Sequence, residues 1–140
     1  IELGGELRAK GNGSKGQGWQ VGLENPRADA NATKIHRTLS LADGAVATSG
    51  NYRLAFTDPD TGQSYSHLID PRTGRPVNHD LLAVSVIAPT AMEADAWATA
   101  LLVLGSEKGL QLAKQENLAA LFVERDPSGI KVLTTANFPR

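Results

Sequence analysis

The pattern of apolar and polar positions changes period several times along the chain, and the changes mark out its elements. From Ala91 to Leu104 (Ala-Met-Glu-Ala-Asp-Ala-Trp-Ala-Thr-Ala-Leu-Leu-Val-Leu) there is no clear amphipathic stripe; beyond Glu93 every residue is apolar except Asp95 and Thr99. The flanks frame a helix: Pro89 and Thr90 precede it, Glu93 follows Thr90 in capping-box spacing, and Gly105 stands where a helix stops. A helix apolar on almost every face is expected to be buried on almost every face. Leu81–Ala88, a continuous run rich in Val and Ile, predicts a central strand leading into it. A second, amphipathic helix is expected from about Glu107 to Gln115. Leu118–Glu124 and Ile130–Thr134 then form a hairpin across Asp126-Pro-Ser-Gly129.

The first half of the chain is richer in turns. Ile1–Lys10 reads as a strand broken by Gly4-Gly5, a pair that marks a bulge or the close approach of a backbone or ligand. Trp19–Glu24 alternates as a strand does, and the glycine-rich turn Gly11–Gly18 predicts that these two strands pair. That turn lacks the Gly-Lys-Ser/Thr ending and following helix of a phosphate-binding loop, so it reads as an ordinary loop. Asn25–Thr33 predicts a surface connection, Ile35–Leu41 a short alternating strand, and Asp43-Gly44 its reversal. Ala45–Ala47 begins a buried strand that ends at Thr48-Ser49-Gly50, small residues that admit a ligand to the backbone but are also ordinary turn chemistry. Asp58-Pro-Asp-Thr-Gly62 and Asp70-Pro-Arg-Thr-Gly74 share a tight-turn pattern, and the tail Asn137–Arg140 carries no signal. The fold class expected is α+β: a mostly antiparallel sheet with two helices packed on one face.

Composition narrows the function without naming it. A chain of 140 residues fits one domain and buries roughly two-thirds of its unfolded surface. The net charge of -1, with acids and bases dispersed, gives no electrostatic case for nucleic acid or an anionic membrane surface. Without cysteine there are no disulfides or thiolate metal sites, and no apolar run approaches the ~20 residues of a membrane span. The chain opens without Met inside a strand-like run, which predicts a piece of something longer.

Candidate chemistry centres on the apolar helix. A buried Asp95 carboxylate would need a partner, and Thr99 lies one turn on along the same stripe. Two oxygen donors side by side suit a hard cation such as magnesium; an Asp that bonds nearby backbone or favours the helix N-terminus is the plainer alternative. Of three histidines, His67 is the best general-base candidate, because Ser66-His67-Leu68-Ile69 reads as a short strand entering the second turn. His36 sits in a polar strand and His79 in a loop rich in Pro and Asn.

Four segments occur in a telling order: Gly4-Gly5-Glu6-x-x-x-x-Gly11, Ala47-Thr-Ser-Gly-x-Tyr52, Ser66-His-x-Ile-Asp-Pro-x-Thr-Gly-x-Pro76 and Ala94-Asp-Ala-x-Ala-Thr-Ala-Leu101. As an ordered set the chain resembles the C-terminal half of the ApbE family, the FAD:protein FMN transferases, whose fold is T-fold-related. The resemblance implies a Mg2+-dependent enzyme that takes FAD as substrate, attaches FMN to a Thr or Ser of an acceptor flavoprotein and releases AMP. It implies Asp95 and Thr99 as metal ligands, with Asp95 and His67 as catalytic residues and His67 the base beside the diphosphate. Ile69 would contact FAD through its backbone, and Gly5, Glu6, Ser49, Gly50, Asp70 and Thr73 would shape the same pocket. The family's Lys-Gly-x-x-x-Asp segment has no match here, so residues 1–140 are expected to be the C-terminal portion of a longer domain. A periplasmic parent anchored to the inner membrane as a lipoprotein is a further implication. Two alternatives stand beside the transferase: an FAD pyrophosphatase yielding FMN and AMP, and a noncatalytic flavin-binding fragment. Homodimer formation is left open.

Overall fold

The computed structural model describes residues 1–13, 16–26, 35–51, 55–127 and 129–139. Most of the predicted connection Asn25–Thr33, positions 14–15 of the glycine loop, Tyr52, Ser128 and Arg140 lie outside the described residues. In chain order the strands of the first half are β1 (Glu2–Leu3), β2 (Glu6–Lys10), β3 (Trp19–Glu24), β4 (Ile35–Leu41), β5 (Asp43–Gly50), β6 (Ala55–Thr57), β7 (Ser64–Ser66), β8 (Ile69–Asp70) and β9 (Arg75–Pro76). They are followed by β10 (Leu81–Ala88), α1 (Ala91–Leu104), α2 (Ser106–Gln115), β11 (Ala119–Asp126) and β12 (Gly129–Thr134).

The main sheet is six-stranded and antiparallel throughout, in the order β1-β2-β5-β10-β11-β12. Its central strands are covered on both faces, which is why Leu81–Ala88 reads as an unbroken apolar run. On one face Leu81, Val84, Val86, Ala120 and Phe122 pack with Ala98, Leu101 and Leu102 of α1 and Ala113 of α2. On the other face Ala83, Leu121 and Val123 pack with Val21, Leu23, Leu39 and Leu41 of the separate β3–β4 hairpin. The period-2 alternation of β11 feeds both layers. The α+β class and the two helices on one face are as expected.

Four local expectations are corrected. Gly4-Gly5 is neither a bulge nor a break within one strand: it is the two-residue turn of the β1–β2 hairpin, with Leu3 opposite Glu6 and φ of 67° and 111° at the glycines, a reversal that favours residues lacking Cβ. β3 does not pair with β2 but with β4, because alternation specifies which face of a strand is buried and not which neighbour it takes. Asp43-Gly44 is not the reversal; both lie within β5, opposite Lys10 and Ala9. The tail is not featureless either, since Phe138 is 4% exposed within the core of the hairpin face.

The capping box forms as read: Thr90 Oγ1 accepts from the Glu93 N–H at 3.2 Å, and the Thr90 N–H donates back to Glu93 Oε2 at 3.2 Å. The expected all-round burial of α1 is overturned. Only Ala94, Ala98, Leu101 and Leu102 are buried, while Met92 is 78% exposed and Asp95, Ala96 and Ala100 face outward. Alanine is the strongest helix former and tolerates water, so a lack of polar residues in an Ala-rich helix does not report burial. Asp95 is therefore an exposed carboxylate, and its importance cannot rest on desolvation.

Candidate functional site

β5 brings two chemistries to one place. Its side chains alternate, so Val46 and Thr48 face the β3–β4 layer while Ala45, Ala47 and Ser49 face α1. The strand stops at Gly50, and around this end opens a cleft of about 760 Å³ that Thr48, Ser49 and Gly50 all line. That volume lies within the range of small-molecule sites, about 300–1,000 Å³. α1 contributes Asp95 and Thr99 to the wall, and the β1–β2 hairpin contributes Gly5 and Glu6.

His67 completes the lining. It does not sit on a strand as expected: β7 ends at Ser66, β8 begins at Ile69, and His67 occupies an exposed bend between them. The bend is held next to the imidazole, where the Leu68 N–H donates to Ser66 Oγ at 3.1 Å and Leu68 O accepts from the Val77 N–H at 2.9 Å. Among the hydroxyls, Ser49 Oγ and Thr99 Oγ1 share a hydrogen bond of 2.8 Å, and Thr48 Oγ1 and Ser85 Oγ one of 2.7 Å.

Gly5, Glu6, Ser49, Gly50, His67, Asp95 and Thr99 are thus brought together, whereas Ile69, Asp70 and Thr73 are not among the residues lining the cleft. Ile69 is half exposed, and the other two build a turn. Asp70 Oδ1 accepts from the Arg72 N–H at 2.9 Å, Oδ2 accepts from Arg72 Nη2 at 2.8 Å, and Asp70 O accepts from the Thr73 N–H at 3.1 Å. The first copy of the pattern closes alike, with Asp58 Oδ1 accepting from the Asp60 and Thr61 N–H groups. These bonds, first the Arg72 side chain and then its backbone N–H, hold the Asp70 carboxyl down to about 2. A depressed carboxylate contributes its stability above the unfolded value of about 3.9 and loses it as pH falls through the folded one. A carboxyl NMR titration should place the Asp70 midpoint near 2; a midpoint near 4 would mean that the Arg72 bonds do not persist in solution.

Glu2, Leu7, Val21, Gly22, Leu23, Glu24, Val46 and Leu68 also line the cleft and were not singled out in the sequence. Val46 had a signal, because the two-residue period puts it on the same face as Thr48. The β3 residues had none, since they reach the cleft across the layers from a strand whose partner was misjudged.

Electrostatics bear on what the cleft can hold. Its described lining carries four carboxylates, Glu2, Glu6, Glu24 and Asp95, and neither Lys nor Arg. A diphosphate entering it meets like charge unless cations accompany it. Among the described residues no group of three or more His, Cys, Asp or Glu is placed to hold a metal ion. The hard oxygens of Asp95 and Thr99 instead fit an ion such as magnesium, which completes its shell with water and substrate phosphate. No described helix is long and apolar enough to cross a membrane.

Comparison with known proteins places this chain in a family. The ApbE family pattern matches residues 1–122. The chain is 38% identical over 138 residues to the FAD:protein FMN transferase of Salmonella typhimurium, covering 99% of this chain and 38% of that protein. It is 36% identical over 140 residues to the FAD:protein FMN transferase of Haemophilus influenzae, covering 100% and 40%. Among solved structures, the flavin transferase ApbE from Vibrio cholerae superposes with a TM-score of 0.80 at 35% identity, over 98% of this chain and 42% of that one. The apo form of the Pseudomonas stutzeri flavinyl transferase ApbE gives 0.77 at 41% identity, over 96% and 40%. The chain spans about two-fifths of the length of these relatives. On the family pattern, the sequence identities and the shared fold together, the chain belongs to the ApbE family.

Proposed function

We propose that the full-length protein containing this chain is a magnesium-dependent FAD:protein FMN transferase, and that the cleft at the end of β5 is its diphosphate site. The observation that carries the reading is that Asp95 and Thr99, one helical turn apart on α1, line the same cleft as His67. In the reaction the hydroxyl oxygen of an acceptor Thr or Ser attacks the phosphorus of the FMN half of FAD. A new phosphoester P–O bond forms, the bond from that phosphorus to the bridging oxygen breaks, and AMP leaves with that oxygen. His67 takes the hydroxyl proton. Its exposed bend lets an acceptor approach from solvent, and the Leu68 N–H bonded to Ser66 Oγ holds the backbone beside it.

Magnesium, held by Asp95 and Thr99, would neutralise charge on the diphosphate oxygens. Phosphoryl transfer of this kind needs positioning and charge stabilisation and no covalent enzyme intermediate. The β1–β2 hairpin, with Gly5 and Glu6, and the small residues Ser49 and Gly50 bound the space left for the substrate.

The test supplies the full-length protein with FAD, Mg2+ and a threonine-bearing acceptor from a flavoprotein. The expected products are AMP and an acceptor heavier by FMN less one water, in equal amounts. FMN and AMP with an unmodified acceptor would establish pyrophosphatase activity instead, and absence of AMP under all conditions would end both readings.

A further inference from the structure

We infer that Ser49 is a positioning residue, which fixes the hydroxyl of Thr99 in the orientation that binds the cation. The inference rests on the metal reading above. On the α1-facing side of β5 the positions before Ser49 are Ala45 and Ala47, packed with Ala94, and these small side chains let the helix lie close to the strand. Ser49 is the first hydroxyl along that seam. It meets Thr99, the one hydroxyl residue within α1, at 2.8 Å between Oγ and Oγ1.

A hydroxyl has one proton and two lone pairs. When Thr99 Oγ1 turns a lone pair to a cation, its proton must point away from the ion, and Ser49 Oγ is placed to accept it. A threonine in a helix otherwise divides between two χ1 rotamers, because Oγ1 can bond the carbonyl one turn back. For Thr99 that carbonyl belongs to Asp95, so without Ser49 the ligand has a competing rotamer.

The test is Mn2+ binding, with the metal alone, to the full-length protein by electron paramagnetic resonance. Ser49→Ala should weaken Mn2+ binding about 10-fold, at the low end for an outer hydrogen-bond partner of a metal ligand, with an unchanged unfolding temperature. Ser49→Thr, which keeps the hydroxyl, should restore binding. In a Thr99→Val background Ser49→Ala should have no further effect. If Ser49→Ala melts early, Ser49→Cys, close in size and a poor acceptor, carries the same comparison. Wild-type affinity in Ser49→Ala, alongside lost affinity in Asp95→Ala, would overturn the role of Ser49 and leave the metal site standing. An undiminished Ser49→Ala effect in the Thr99→Val background would overturn it too. Unchanged binding in Asp95→Ala would remove the metal site and this inference together.

Discussion

Asp95→Ala is expected to lower FMN transfer by the full-length protein about 10³-fold, or roughly 4 kcal/mol of barrier, the order of transition-state charge stabilisation that a bound metal supplies. Its fold should be untouched. Asp95 is exposed on α1, the substitution leaves the Thr90–Glu93 capping box intact, and alanine is the better helix former. The loss should therefore accompany an unchanged unfolding temperature and a weakened dependence on Mg2+ concentration. Steady-state AMP release as a function of Mg2+ checks it, and turnover equal to that of the wild type would remove Asp95 from the site.

His67→Gln is the second large effect, a fall of about 10²–10⁴-fold, the usual contribution of a positioned general base. Glutamine keeps hydrogen-bonding capacity and roughly the reach of the imidazole but cannot take the proton. The rate should therefore fall while FAD binding is retained. Because His67 is exposed and its bend is held by Leu68 and Ser66, stability should not change. A variant that loses FAD affinity but keeps its turnover at saturating FAD would recast His67 as a binding residue.

The parts of the fold that local chemistry determines were legible in the sequence. The Thr90–Glu93 box and Gly105 fixed both ends of α1, and the Val/Ile run fixed β10. What was not legible depended on partners distant in sequence. Trp19–Glu24 alternates equally well beside β2 or β4, and only packing of Val21 and Leu23 on the far face of the sheet decides it. For the site, the i, i+4 spacing of Asp95 and Thr99 and the small residues at the end of β5 pointed to the cleft they now line. Asp95 is not a buried charge, because an Ala-rich helix resembles a core helix by composition while Met92, Asp95, Ala96 and Ala100 are exposed. Asp70 and Thr73, which the resemblance assigns to the pocket, lie outside the described cleft lining and build a turn like that at Asp58, which the shared motif made legible.

The most direct measurement is a flavin-fluorescence titration of FAD with the full-length protein, with and without Mg2+, for the wild type and Asp95→Ala. Saturable binding that strengthens with Mg2+ in the wild type, and loses that dependence in Asp95→Ala, is the result expected of a diphosphate site in this cleft. Equal binding by both proteins, indifferent to Mg2+, would contradict it.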